Sequence, residues 1–203
     1  LEKRTKQPNI TLGIVLNILK VGLAAIFVFV AVACGLVSGL ANAYLETTPT
    51  LDVSAIESQD LTSYIYTQDG QLLATYTGTE NRDYASIDEI PEELQKAFIA
   101  VEDIRFYSHN GIDIKRLAGS LLANLSSGSS QGGSTITQQL IKNTLLSSEP
   151  SYKRKIQEAS LAMELEKRYS KDEILEAYLN CVPLGETVYG VKAAAKSYFG
   201  KDL

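Results

Sequence analysis

Two acids, Glu102 and Asp103, stand side by side in "AVEDIRFYSHNG" (Ala100 to Gly111), ahead of Arg105 and of His109, the single histidine of the chain. A carboxylate bordering an apolar surface is a common start for general-base chemistry, because loss of water strengthens it as a proton acceptor. Neighbouring residues on a helix project about 100° apart, so the two acids cannot face one site equally. Glu102, one residue after Val101 and four after Phe98, borders the apolar side and is the candidate base. Asp103 reads as a local charge partner of Arg105, and a solvated helix end stays open for both acids. His109 reads as a group that caps carbonyls or holds a neighbour's geometry, because a zinc site needs several ligands and there is no second histidine.

Further along, Lys142, Lys153, Arg154, Lys155, Lys167, Arg168 and Lys171 form a basic set suited to a pyrophosphate or to anionic lipid heads. The alternative is a solvated face balanced by Glu158, Glu164 and Glu166, with Arg154 and Glu158 an ordinary i, i+4 pair. Glu158 sits between Ile156 and Ala159 in an apolar stretch, where a carboxylate needs a partner or a task. The loop "SSGSSQGGST" opening onto a helix offers backbone N–H groups to an anion, or is a flexible connection; it lacks the G-x-x-x-x-G-K-[ST] of a P-loop.

These residues need elements to hold them. "SYIYTQDGQLLATYT" places Asp69-Gly70 between two β-rich runs, a hairpin and the only convincing β structure. A helix follows, started by Ser86 or Asp88 with Pro91 in its first turn. Its stripe is Leu94, Ala97, Phe98 and Val101, and it ends near His109 to Gly111. Asp113 caps a second helix with Ile114, Leu117, Ala118, Leu121, Leu122 and Leu125 on one face. Ser134 or Thr135 starts a third. A fourth, Tyr152 to Tyr169, is apolar on more than one face and is expected to be central and largely buried. Ser170 and Glu173 form a capping box for a fifth, and "YGVKAAAKSYF" is a sixth, stopped by Gly200.

Ahead of this domain, Val21 to Ala43 runs without a charge, and about 20 such residues span a bilayer core. Lys3, Arg4, Lys6 and Lys20 precede it and Glu46, Asp52, Glu57 and Asp60 follow. The expected order is a cytoplasmic tail (1–20), a transmembrane anchor (21–43), a linker (44–60) and an extracytoplasmic domain (61–203). A signal peptide cleaved at Ala41-Asn42-Ala43 and a lipid-modified Cys34 are rival readings, and all three place the domain outside. Cys34 and Cys181 offer no disulfide framework. The net charge of -5 gives no reason to expect nucleic acid as a partner, and it hides a split. Residues 44–100 hold 11 acids and 2 bases, whereas 101–203 hold 12 and 13, so anions are expected to bind the second region.

Taken together, "EDIRFYSHNG", "GGSTITQQLIKN", "RKIQE", "KDEILEAYLN" and "YGVKAAAKSYFGK" resemble, in order and spacing, the five motifs of glycosyltransferase family 51, the peptidoglycan glycosyltransferases. These form the membrane-proximal domain of class A penicillin-binding proteins and the whole of the monofunctional enzymes. The resemblance covers about Ile87 to Lys201. It implies a mainly α, lysozyme-like domain with a membrane-embedded jaw, here with a small β-hairpin and preceded by one N-terminal transmembrane helix. It also implies inverting polymerisation of lipid II into β-linked glycan strands with loss of undecaprenyl pyrophosphate.

Carried over by position, Glu102 resembles the general base and Glu158 the second essential acid. Arg154 and Lys155 then lie near the donor pyrophosphate, with a divalent cation, magnesium or manganese, as an option and no metal ligands among the side chains. Thr135, Gln139, Lys142 and Asn143 match substrate-contacting positions; Asp103, Phe106 and His109 match residues shaping the site around the base; Tyr178 and Asn180 match the fourth motif. Inverting chemistry needs room for the nucleophile, so Glu102 and Glu158 are expected to face each other across a cleft, as inverting glycosidase carboxyls do at about 6.5–9.5 Å.

The implied partners are lipid II, the growing strand, membrane lipids and other cell-wall synthesis proteins. The family's domain continues beyond "YFGK" and S-x-x-K with its companions is absent. The expectation is therefore a C-terminally truncated piece of a larger class A protein, with no β-lactam binding of its own. A truncated domain that grips lipid II without turnover, and a lytic hydrolase, are the competing functions. A neutral glycan gives a hydrolase no use for the basic set.

Overall fold

The computed structural model describes residues 10–57, 61–76, 78, 80–127, 132–146 and 150–203; side chains of residues 10–12, 57, 125 and 127 are outside the description. Of the expectations above, those on Lys3, Arg4, Lys6, Asp60, the Leu125 side chain and the middle of the Gly/Ser loop fall outside it. The chain divides into two units, one ending at Thr47 and one from Thr48 to Leu203.

The described residues of the first unit form a single helix, α1 (Ile10–Glu46), which extends past both ends of the charge-free run. Its most apolar 18-residue window has a mean hydropathy of 2.6 and no residue buried against protein, which satisfies by length and composition what a bilayer span requires.

The second unit is mainly helical. A short helix α2 (Ser54–Glu57) interrupts the expected linker, and nearby Leu51 is buried in the core. Strands β1 (Ser63–Tyr66) and β2 (Leu72–Tyr76) pair antiparallel around Asp69-Gly70, with Gly70 at φ 78° in the turn, as the sequence requires. A second sheet was not legible: β3 (Asn81–Arg82) pairs in parallel with β4 (Val188–Tyr189), tying the domain's entry to its far end. Two-residue strands have no periodicity to read. Their pairing is reinforced by the Arg82 guanidinium, 4.4 Å from the centre of the Tyr189 ring.

Helix α3 (Glu92–Glu102) is shorter than its pattern, with Ser86 starting a separate 3₁₀ turn (Ile87–Glu89) and Pro91 at the N-cap. Its packed residues are Leu94, Phe98 and Ile99, whereas Ala97 is exposed and Val101 is 76% exposed, so the expected stripe is rotated. After a 3₁₀ turn at Phe106–Ser108 come α4 (Ile114–Ser127), α5 (Ile136–Thr144), α6 (Tyr152–Leu165), α7 (Lys171–Cys181) and α8 (Val191–Phe199). Asp113 Oδ1 accepts from Arg116 N at 2.9 Å, Thr135 caps α5, and Ser170 with Glu173 boxes α7, as expected.

Helix α5 packs against both α6 and α7. Ile136, Leu140 and Ile141 meet Leu161, Leu165, Ile174, Leu175 and Leu179 in the main core. Helix α6 is less central than its composition indicates: Glu158, Leu161, Ala162 and Leu165 are buried, but Met163 is 43% exposed. Cys181 lies in the same core, where burial pushes its thiol up to about 12 and leaves it inert.

Helix α4 departs furthest. Its apolar face is regular, yet Ile114, Leu117, Leu121 and Leu122 are all exposed, as are Val101 and Ile104. Periodicity identifies an apolar stripe but not what covers it.

The turn into α4 depends on Gly111. Its φ is +87°, and a Cβ there would lie 2.7 Å from the Ala162 carbonyl carbon of α6. Both the left-handed backbone and the backbone clash oppose a side chain, so Gly111→Ala is expected to cost roughly 3 kcal/mol. Thermal unfolding checks this, and an unchanged midpoint would refute the close approach.

Candidate active site

Glu102 is the last residue of α3, half-buried, with its side chain open to a cleft of about 190 Å³. Its Oε2 accepts from Gln139 Nε2 at 2.7 Å, and Gln139 Oε1 accepts from Tyr178 OH at 3.3 Å. Burial, and then the negative charge of Glu102, hold the Tyr178 hydroxyl well above its ordinary pKa, so it stays a donor to Gln139. The chain Tyr178, Gln139, Glu102 fixes one carboxylate oxygen and leaves the other for the cleft.

Glu158 lines the same cleft from α6 and is fully buried. Lys155 Nζ donates to its Oε2, and Arg154 Nε lies 3.0 Å from Oε1, an ion pair off the line of a hydrogen bond. Lys155 also donates to Ser134 Oγ at 3.1 Å, so the visible end of the Gly/Ser loop joins the cationic wall. Lys142 lines the cleft and makes no ion pair among the described residues. The two acids therefore meet one cavity in different states: Glu102 held by a neutral amide, Glu158 held by two cations.

Asp103 is not the partner of Arg105, which pairs with Asp113 at 2.8 Å instead. Asp103 is fully buried at the C-cap of α3. Its Oδ2 accepts from the Ile136 backbone N–H at 3.1 Å, at the positive end of α5, and from His109 Nε2 at 2.9 Å. That long-range demand ends α3 at Glu102, so the helix cannot run on to His109. His109 thus fixes a neighbour's geometry, and the buried Phe106 ring lies 6.3 Å from its imidazole.

Other candidates sit away from the cleft. Thr135 is enclosed; its hydroxyl accepts from Gln138 N and donates to Gly111 O at 2.7 Å, which sets the start of α5 and leaves nothing for a ligand. Asn143 lies beside Cys181. Asn180 exchanges hydrogen bonds with Ala85 N and O and lines a separate cavity of about 330 Å³, so it fastens α7 to the segment before α3. Tyr178 is buried and reaches the site only through Gln139.

Arg116 was missed. Its Nη1 donates to the Glu102 carbonyl and its Nε to Gly132 O at 3.2 Å, clasping the end of α3 to the α4–α5 loop at the cleft wall. Nothing in the sequence singles out this cation among its neighbours.

Two carboxylates and several cations around one cleft give this helical domain the parts for proton transfer beside an anionic group. The Transglycosylase family profile matches residues 69–203, more than half of the chain, and the chain belongs to that family. It is 50% identical to penicillin-binding protein 1A of Clostridium perfringens (strain 13 / Type A) over 78% of this chain and 24% of that protein. It is 42% identical to penicillin-binding protein 1A of Clostridium botulinum (strain Langeland / NCTC 10281 / Type F) over 100% and 24%, respectively. With penicillin-binding protein 1A/1B of Bacillus subtilis (strain 168) the identity is 50% over 75% and 16%. The chain thus spans a quarter or less of the length of these relatives.

Proposed function

We propose that this chain is a peptidoglycan glycosyltransferase domain that polymerises lipid II into β-1,4-linked strands by inverting transfer, releasing undecaprenyl pyrophosphate. The observation that carries this reading is that Glu102 and the Glu158, Lys155 pair line one cleft. Glu102 takes the proton of the acceptor's 4-hydroxyl while that oxygen attacks the anomeric carbon of the growing strand. The bond from that carbon to the pyrophosphate breaks as the new bond forms. The charge arriving on the pyrophosphate is met by Lys155, Arg154 and Lys142, already ordered before the reaction. Glu158 keeps Arg154 and Lys155 in place.

A magnesium or manganese ion would be held chiefly by the pyrophosphate oxygens, with one or two carboxylates beside them; among the described residues no three His, Cys, Asp or Glu groups gather into a cage of their own. The steps above are written with the side-chain cations, which both oxygens of Glu158 already face.

A lipid-linked substrate also accounts for the exposed apolar face of α4, and for exposed Val101 and Ile104, which line a groove of about 550 Å³ sharing Arg116 and Gly132 with the cleft. Membrane lipids would cover that face, with α1 as a single-pass anchor, its amino terminus cytoplasmic and the domain outside. Other cell-wall synthesis proteins are the remaining partners of this reading.

Incubating the chain in detergent with labelled lipid II tests the proposal. Polymer and equimolar undecaprenyl pyrophosphate are the expected products. Saturable lipid II binding without polymer would favour a binding module, and sugars released from finished peptidoglycan would favour a hydrolase.

A further inference from the structure

A buried charge network lies behind the cleft and shares no residue with its lining. Glu166, the C-cap of α6, has a side chain only 4% exposed. Its Oε1 accepts from Thr137 Oγ1 at 2.6 Å and from Lys171 Nζ at 2.7 Å. The Lys171 ammonium in turn sits 4.5 Å from the centre of the Phe106 ring. On the other side, Asp103 Oδ2 takes the Ile136 N–H and His109 Nε2. The remaining nitrogen, His109 Nδ1, is buried, has no hydrogen bond among the described residues and lies 4.0 Å from Glu166 Oε1.

The geometry points to Glu166 as a positioning residue for the transfer, and this inference rests on the glycosyltransferase reading. Ile136 and Thr137 are the first two residues of α5. Asp103, directly after Glu102, is tied to the first; Glu166, eight residues after Glu158, is tied to the second. Eight helical residues span about 12 Å, so a shift of the α6 end is carried along the rigid helix to Glu158. The helices bearing the two acids are thus registered on one turn of α5, and the His109 imidazole between Asp103 and Glu166 closes the frame. Burying so many charges costs stability that apolar side chains would not, which fits a role in fixing geometry better than one in holding the fold. Glu166 touches no substrate and acts only through α6, α5 and His109.

The test compares Glu166→Gln with wild type in two independent readouts. Glu166→Gln keeps the size of the side chain and removes its charge. Polymerisation of lipid II is expected to lose about tenfold to a hundredfold in kcat with KM within about twofold, as a small misplacement of reacting groups does. Glu166→Asp is expected to recover part of the loss. The ring nitrogens of His109, the only histidine, give a single set of NMR signals, expected to shift in Glu166→Gln and to stay put in the exposed control Glu89→Gln. Should Glu166→Gln fail to fold, Thr137→Val removes one of its hydrogen bonds without touching charge and is expected to lower kcat several-fold in the same direction. Full kcat in a folded Glu166→Gln, or unchanged His109 signals, overturns the inference while wild-type polymerisation still supports the assigned activity. Absence of polymer from wild type defeats that activity instead, and the His109 signals alone then decide whether Glu166 governs the frame.

Discussion

Glu102→Gln is expected to give a folded protein that binds lipid II and forms no measurable polymer. The substitution is nearly isosteric, and the amide oxygen can still accept from Gln139 Nε2, so the Tyr178, Gln139 chain survives. The Glu102 carbonyl, held by Arg116, is untouched because it belongs to the backbone. What disappears is the proton acceptor. Losing a positioned general base costs about 10² to 10⁴ in rate. Binding should persist, because Lys142, Lys155 and Arg154 are unaltered. Single-turnover assays with labelled lipid II read the chemical step, and equilibrium binding in the same detergent reads the rest. Wild-type turnover in the glutamine variant would remove Glu102 from the role of base. Loss of binding would instead mean that its charge serves the acceptor's pose.

Such a prediction depends on where α3 ends, and this marks the limit of what the sequence discloses. Signals contained within a few residues were legible. The Asp69-Gly70 turn, the Thr135 and Ser170 caps, and Gly200 closing α8 at φ 64° each need only their neighbours. That Glu102 and Glu158 share one cleft was legible because they sit in stretches that carry a family pattern. The end of α3 was not, since Asp103 leaves the helix to meet an N–H group 33 residues away. The Arg116 clasp and the β3, β4 pairing are also contacts between distant segments. The apolar stripe of α4 was found correctly, but periodicity does not say whether such a stripe is buried in a core or, as here, left exposed. Thr135 and Asn180 show the converse: a motif position can be spent on a cap or a helix contact, with no side-chain group left for the cleft.

Glu158 is expected to show a double loss on conversion to glutamine, in activity and in stability. Its carboxylate is fully buried and faces Arg154 at 3.0 Å and Lys155 on the other oxygen. Removing one member of a buried ion pair typically costs about 3–5 kcal/mol, because the partner stays charged and loses its counter-charge. Lys155 is 49% exposed and can swing into water, whereas Arg154 is only 11% exposed and cannot do so easily, so the low end of that range applies. For a domain of this size, about 3 kcal/mol corresponds to a fall of roughly 10 °C in Tm. The same loosening removes the ordered cations that receive the pyrophosphate charge, so polymerisation should fall with stability, even when assayed well below the new Tm. Replacing Glu158, Arg154 and Lys155 together by Leu, Leu and Met separates the two effects. An apolar cluster there should regain most of the stability, as buried ion pairs replaced by hydrophobic groups commonly do. It should not regain transfer, because of the three cations that receive the leaving group's charge only Lys142 then remains. Polymerisation restored together with Tm in the triple variant would show that the charges serve only the fold, and the pyrophosphate would then need a different receiver.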